Sequence, residues 1–191
     1  MAFVDLDVRF PVQRERMAEL GFADFRSPFI LELSKPGDLR RVPGNAGLVV
    51  VSSANIELLR QAAKSSRISL LYNKGFEADV GLIRDASAKK IPFEIPIAPI
   101  LESSGIQRAL TMGRTRFFIK LCLKLRAPFA LTSQARDEYS LKSPQEMIAI
   151  GQALGLERDQ AAWAITEIPE MVLNARRAQA HPEEMVLHAS H

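Results

Sequence analysis

A chain of 191 residues, 47% of them hydrophobic and a quarter charged, is long enough to bury one sizeable core and short for two domains. Its formal net charge is +3, from 25 Lys and Arg against 22 Asp and Glu, so affinity for a polyanion depends on where the charges sit. The single cysteine, Cys122, excludes an internal disulfide and a cysteine-built metal site, and it fits a buried thiol in a reducing compartment. No apolar run reaches the roughly 18 to 20 residues of a membrane span. The opening MAFVDLDVRF carries acids where a signal peptide is positive. The expectation is a cytoplasmic protein without membrane contact.

In chain order, short β-branched runs alternate with helical patterns. FVDLDVRF (3–10) predicts a strand and QRERMAELGF a helix; FILELS (29–34) and GLVVVSS (47–53) predict strands, followed by a helix at ANIELLRQAAKSS. Then come strand ISLLYN (68–73), helix VGLIRDASAKK, strand IPFEIPIAP (91–99), helix IQRALTMGRTRFFIKLCLKLR, strand PFALTS (128–133) and helix SPQEMIAIGQALGL. This is the rhythm of parallel βαβ units. Ser143, Pro144 and Glu146 occupy the N-cap, first and third positions of a capping box, which marks a helix start. Beyond Arg177 the pattern decays, so one domain over residues 1–177 and a flexible tail over 178–191 are expected.

Successive strand residues point to opposite faces. In the first strand Val4, Leu6, Val8 and Phe10 share one face, and Asp5, Asp7 and Arg9 the other; Glu32 and Glu94 are the charged members of later strands. An open doubly wound sheet favours continuously apolar strands. A polar set recurring on one face therefore predicts a closed barrel with a polar lumen. The carboxylates Asp5, Asp7, Glu32 and Glu94 have the oxygen chemistry for a hard cation such as magnesium. The competing reading has Arg9 and neighbouring hydroxyls pairing them in a buried network, because buried charges need partners.

The three histidines, His181, His188 and His191, all fall in the tail, which leaves the barrel no imidazole metal ligand or general base. No G-x-S-x-G, Walker, Rossmann or paired CxxC motif is present, and Ser133 has no histidine to activate it. The positive signal is electrostatic. Between Glu102 and Asp137 there is no acid, while Arg108, Arg114, Arg116, Lys120, Lys124, Arg126 and Arg136 all lie there. Phe117, Phe118, Leu121, Cys122 and Leu125 keep helical spacing and leave Arg116, Lys120 and Lys124 in a row. Two readings stand: a solvated helix face, or a surface for nucleic-acid phosphates.

FVDLDVRF, GLVVVSSANIELLRQAAK, IPFEIPIAPIL, PFALTSQARDEYSLKSPQEM and ITEIPEMVLNARR resemble, in order, the archaeal and eukaryotic ribonuclease P protein component 3 family, the thirty-kilodalton-type subunit. The resemblance implies an α/β fold, a TIM-like barrel of parallel strands and surrounding helices related to the polymerase and histidinol phosphatase metallohydrolases. Such barrels typically take about 250 residues, so fewer than eight regular repeats are expected here. Those metallohydrolases carry a His-x-His metal pair on the first strand, where this chain has Asp7-Val8-Arg9; a fixed positive charge at a ligand position speaks against a metal and against any catalytic residue. The resemblance further implies that the catalytic RNA, with its own magnesium, cleaves precursor tRNA, that this chain binds no cofactor, and that alone it is inactive. It implies as partners that RNA, precursor tRNA through the complex, other ribonuclease P proteins, and a small ferredoxin-like or RRM-like protein subunit in a pair of heterodimers. Arg114, Arg116, Lys120, Lys124 and Arg136 are the RNA-binding candidates. In the loop after the sixth predicted strand, Arg136 with Thr132 and Ser133 is placed to meet phosphate or a neighbouring subunit, and loop-shaping hydrogen bonds are the alternative. Two other functions remain open at this stage, a small metal-dependent phosphoesterase using the lumen carboxylates and a protein-interaction scaffold without RNA contact.

Overall fold

The computed structural model describes residues 2–180. Among these, seven short strands all run parallel to their neighbours: β1 (Val4–Asp5), β2 (Asp24–Phe25), β3 (Phe29–Glu32), β4 (Val49–Ser53), β5 (Leu70–Asn73), β6 (Phe93–Pro96) and β7 (Phe129–Thr132). β3 to β7 form one sheet in sequence order, and β1 pairs with β2. A bridge between Val8 and Ala135 joins these two parts. So do Val4 N donating to Ile165 O at 2.9 Å and Leu131 N to Ala164 O at 3.1 Å. The result is the expected α/β TIM-like barrel, with seven strands rather than eight and no ladder between β2 and β3.

The βαβ helices cover the outside: α1 (Arg14–Leu20), α2 (Ile56–Ala62), α3 (Val80–Lys89), the single turn α4 (Ala98–Leu101), α5 (Gly105–Lys124), α6 (Pro144–Ala153) and α7 (Arg158–Trp163). Their starts follow side-chain chemistry. Asn55 Oδ1 accepts from Glu57 N at 2.9 Å, the Asp79 carboxylate caps α3, and Ser143 and Glu146 close the predicted box on α6. Beneath the helices lies the main core, where the outward residues of the strands (Leu31, Val51, Leu71, Phe93, Ile95, Leu131) meet the inner faces of the helices. Phe118 of α5 stands edge-on to Phe93, centroids 5.0 Å apart, and fixes that helix against the sheet.

The barrel interior is divided. Toward the N-terminal ends of the strands, Val4, Leu6, Leu48, Val50, Leu70 and Ala130 form a second apolar cluster, closed by Ile168 and Val172 of the last helix, α8 (Glu167–Ala180). The sequence reading names no helix beyond residue 156, although Ile168, Met171, Val172 and Ala175 keep the i, i+3, i+4, i+7 spacing of a helix over α8. It also misses β2, α4, α7 and the 3₁₀ turn at Pro36–Arg41, each too short for periodicity to register. The helix runs past the expected boundary at Arg177; residues 181–191, with the three histidines and the rest of the predicted tail, lie outside the described residues.

Candidate functional site

At the C-terminal ends of the strands, the face on which TIM barrels carry their chemistry, a polar network fills the mouth. A bend at Leu6 breaks the alternation of the first strand, so that Leu6 joins the interior cluster and Val8 the outer core. Asp5 Oδ1 accepts from the backbone N of Asp7 and of Ser133, both at 3.2 Å. Both Asp7 carboxylate oxygens accept from the Arg9 guanidinium, with Nη2 to Oδ2 at 2.7 Å and Nε to Oδ1 at 3.0 Å. Glu94 Oε1 accepts from Thr132 Oγ1 at 2.7 Å. Gln134, at φ +49 and buried, adds its amide beside Glu94. Asp5, Asp7 and Glu94 are fully buried, whereas the Arg9 side chain keeps 22% exposure.

Burial sets the charges here. Loss of water raises the Asp5 carboxyl to about 6, although hydrogen bonds from Ser133 and Asp7 pull the other way. Burial, then the adjacent Asp7 charge, raises Glu94 well above the usual carboxylate range. Burial opposes the Arg9 charge, but its bonds to Asp7 more than offset this, so the guanidinium is held charged. Tyr72, above the network in β5, is pushed to about 12 by burial and then by Glu94.

Four of the five predicted lumen residues therefore meet: Asp5, Asp7, Arg9 and Glu94. Glu32 does not. It is in register with Ser52 and thus on the expected face, but β3 is the open edge of the sheet, and the Glu32 side chain is 65% exposed and paired with Lys74 Nζ at 2.7 Å. Thr132, Gln134 and Tyr72 are members that sequence reasoning did not assign to the network. Thr132 shares its face with Ala130 by period two, which is a signal; the left-handed turn at Gln134 leaves none. Within the mouth Asp7 has both oxygens bonded to Arg9, whereas Asp5 Oδ2 and Glu94 Oε2 are buried without a hydrogen-bond partner. Burial disfavours the charged forms of Asp5 and Glu94, which opposes the anionic oxygen that a hard cation takes.

The network predicts a pH dependence. A folded carboxyl at about 6 against an ordinary 3.8 stabilises the fold fully below about pH 4, and this contribution is lost as pH rises through about 6. Two units correspond to about 3 kcal/mol. Asp5→Asn retains the Oδ1 acceptor and removes the titration. Melting temperatures of parent and variant should therefore diverge between these pH values, the variant gaining on the parent as pH rises. Parallel curves would show that Asp5 ionises without penalty.

The loop after β7 is organised by its own hydrogen bonds. Ser133 Oγ donates to Asp7 O at 3.3 Å and accepts from Ala135 N at 3.0 Å, tying the ends of β1 and β7 together. Ser140 Oγ accepts from the backbone N of Arg136 and Asp137 at 3.0 and 3.1 Å, and the Asp137 carboxylate accepts from Ser140 N at 2.8 Å. These bonds hold the Asp137 carboxyl below its usual range. Arg136 remains 63% exposed at the rim of the mouth, 4.0 Å from Glu102. The loop-shaping role is thus established for Ser133, Asp137 and Ser140, while the Arg136 side chain is directed outward.

The basic helix α5 docks through Thr115, Phe118, Ile119 and Cys122, where burial pushes the thiol to about 12. Arg114, Lys120 and Lys124 are exposed. Arg116 has a structural bond: Nε and Nη2 donate to Ala153 O at 3.0 and 2.7 Å, capping the end of α6. Opposite the docked face, Ile106, Leu110 and Phe117 form an apolar stripe 78%, 48% and 57% exposed, flanked by Arg114 on one side and Lys120 on the other.

The family model described as RNase P subunit p30 matches residues 32–181. The chain belongs to that family. It is 28% identical over 153 residues to the ribonuclease P protein component 3 of Methanothermobacter thermautotrophicus, covering 75% of this chain and 62% of that protein. It is 26% identical over 165 residues to the protein of the same name from Methanosarcina mazei, covering 82% and 69%. The chain thus spans less than two thirds of the Methanothermobacter protein's length. In fold, it is similar to a chain in a cryo-EM structure of archaeal ribonuclease P with mature tRNA, with a TM-score of 0.71, 19% identity, and coverage of 92% of this chain and 81% of that one. Within the p30 family, the Asp7 and Arg9 pair lies upstream of the matched region, and the α5 cations, the loop after β7 and α8 lie inside it.

Proposed function

We propose that this chain is a protein subunit of ribonuclease P that supports the catalytic RNA in removing the 5′ leader of precursor tRNA. The observation that carries this reading is the p30-family match over residues 32–181. The RNA, with its magnesium, performs the cleavage, and this chain contributes binding surface. Arg114, Arg116, Lys120, Lys124 and Arg136 face the RNA, with Arg116 offering only the part of its guanidinium left free by Ala153. The exposed apolar stripe of α5 supports a protein neighbour, read as the small ferredoxin-like or RRM-like subunit in a pair of heterodimers, with further ribonuclease P proteins around it. The assembly works in the cytoplasm; no helix among the described residues is long and apolar enough to cross a membrane.

The deciding experiment is reconstitution. Adding the full chain to the RNA and the remaining proteins should raise 5′ cleavage of precursor tRNA, and an assembly equally active without it would sink the proposal. The purified chain alone should cleave neither precursor tRNA nor model phosphate esters, with or without magnesium or manganese, because Arg9 occupies the Asp7 carboxylate and the mouth holds no histidine. Activity abolished by Asp7→Ala or Glu94→Ala in a folded protein would reverse that expectation and favour the phosphoesterase.

A further inference from the structure

On the barrel end opposite the mouth, three successive helix-to-strand loops each carry two exposed cations: Lys64 and Arg67 before β5, Lys89 and Lys90 before β6, and Lys124 and Arg126 before β7. Those strands are adjacent in the sheet, so the loops stand side by side, and Ser87 Oγ donates to Leu125 O and Arg126 O, locking the second loop to the third. A cleft of about 400 Å³ runs between α8 and the first two loops. A second, of about 820 Å³, continues past Arg67 to Arg26 and Arg177. No carboxylate among the described residues lines either cleft.

A cation in the last turn of a helix is ordinary, since it complements the negative end of the helix dipole. That accounts for Lys89 and Lys124. It does not account for Lys90 and Arg126, which lie beyond the helices with φ of +54 each. This left-handed position after a helix is usually Gly, because a side chain is strained there. The same chain follows that rule elsewhere: α1 and α6 are followed by Gly21 at φ +100 and Gly155 at φ +94. Only at the ends of α3 and α5 does a strained residue replace glycine among these four helices, and both times it is a cation facing solvent. A charged side chain thus stands at each of these two positions against the backbone's own preference.

We propose that this rim is a phosphodiester-binding surface, with Lys64, Arg67, Lys89, Lys90, Lys124 and Arg126 contacting the backbone of a structured RNA. It deepens the ribonuclease P reading and rests on it for which RNA is bound. The α5 row ends in the rim at Lys124, so the two surfaces form one basic path along the helix. Recognition by backbone charge alone is insensitive to base sequence.

The test uses the full chain and a short RNA duplex of mixed sequence. Lys90→Gly with Arg126→Gly relieves the left-handed strain, so the melting temperature should hold or rise while affinity falls about tenfold and the log-log salt slope flattens by about 2 units. A rim that served only the fold would give the opposite pattern, unchanged affinity and slope, and that result overturns the proposal. A second variant, Lys64→Ala with Lys89→Ala at exposed ordinary positions, should weaken binding similarly. If the glycine variant melts lower, the second decides, and its unchanged affinity rejects the rim. Duplex binding reports on the rim alone, whereas reconstituted precursor-tRNA cleavage reports on the subunit role, so each can fail separately.

Discussion

Arg9→Ala should lower the stability of the fold by about 3 kcal/mol, the scale set by breaking a buried ion pair from one side. The Asp7 side chain has no exposure, and its carboxylate oxygens accept from the Arg9 guanidinium. With the guanidinium gone, a buried carboxylate is left beside Glu94 with no cation within the network. Arg9 is itself only 22% exposed, so water does not simply take its place. Loss of an exposed ion pair is worth at most about 1 kcal/mol, and denaturant unfolding separates the two scales cleanly. A variant as stable as the parent would mean that water reaches Asp7 freely, and Arg9 would become a candidate contact for an external anion. Asp7→Asn in the Arg9→Ala background should restore part of the loss, because it removes the unpaired charge while keeping the side-chain shape.

Replacing Arg114, Lys120 and Lys124 together by Ala should weaken RNA binding by the full chain across unrelated sequences and flatten its salt dependence by up to about 2.7 units. A change of that size means that a fourfold rise in salt weakens the variant ~40-fold less than the parent. Arg116 stays in place, because its bonds to Ala153 O cap α6 and its loss would mix folding with binding. The three chosen side chains are exposed, and Ala is the strongest helix former, so thermal stability should be unchanged. Equal affinity and an equal slope would assign this face of α5 to solvent or to a protein neighbour. The adjoining stripe of Ile106, Leu110 and Phe117 is then the surface to alter next, by Leu110→Glu in a reconstituted assembly.

From the sequence came the βαβ order, the capping box at Ser143, the burial of Cys122, the acid-free span carrying α5 and the choice of Asp5, Asp7 and Glu94 as lumen carboxylates, though not the bend at Leu6 that leaves Val4 and Leu6 inside with them. These are local properties: residue period, cap chemistry and net sign along a stretch of chain are carried by neighbours within a few positions. Tertiary structure alone decided which of the equivalent faces closes. Glu32 has the same face as the lumen set yet meets Lys74 in solvent, because β3 has no neighbour on one side, and whether a strand lies at an edge depends on how the whole sheet curls. Arg116 looked equivalent to Lys120 along the helix, and only the position of the α6 C-terminus within its reach turned it into a cap. The Ile168 and Val172 face of α8 gains meaning from the end of the barrel it plugs. Side by side, the cation pairs at Lys64 and Arg67, Lys89 and Lys90, and Lys124 and Arg126 become one surface because β5, β6 and β7 are neighbours, a contact between residues far apart in the chain that no local period encodes.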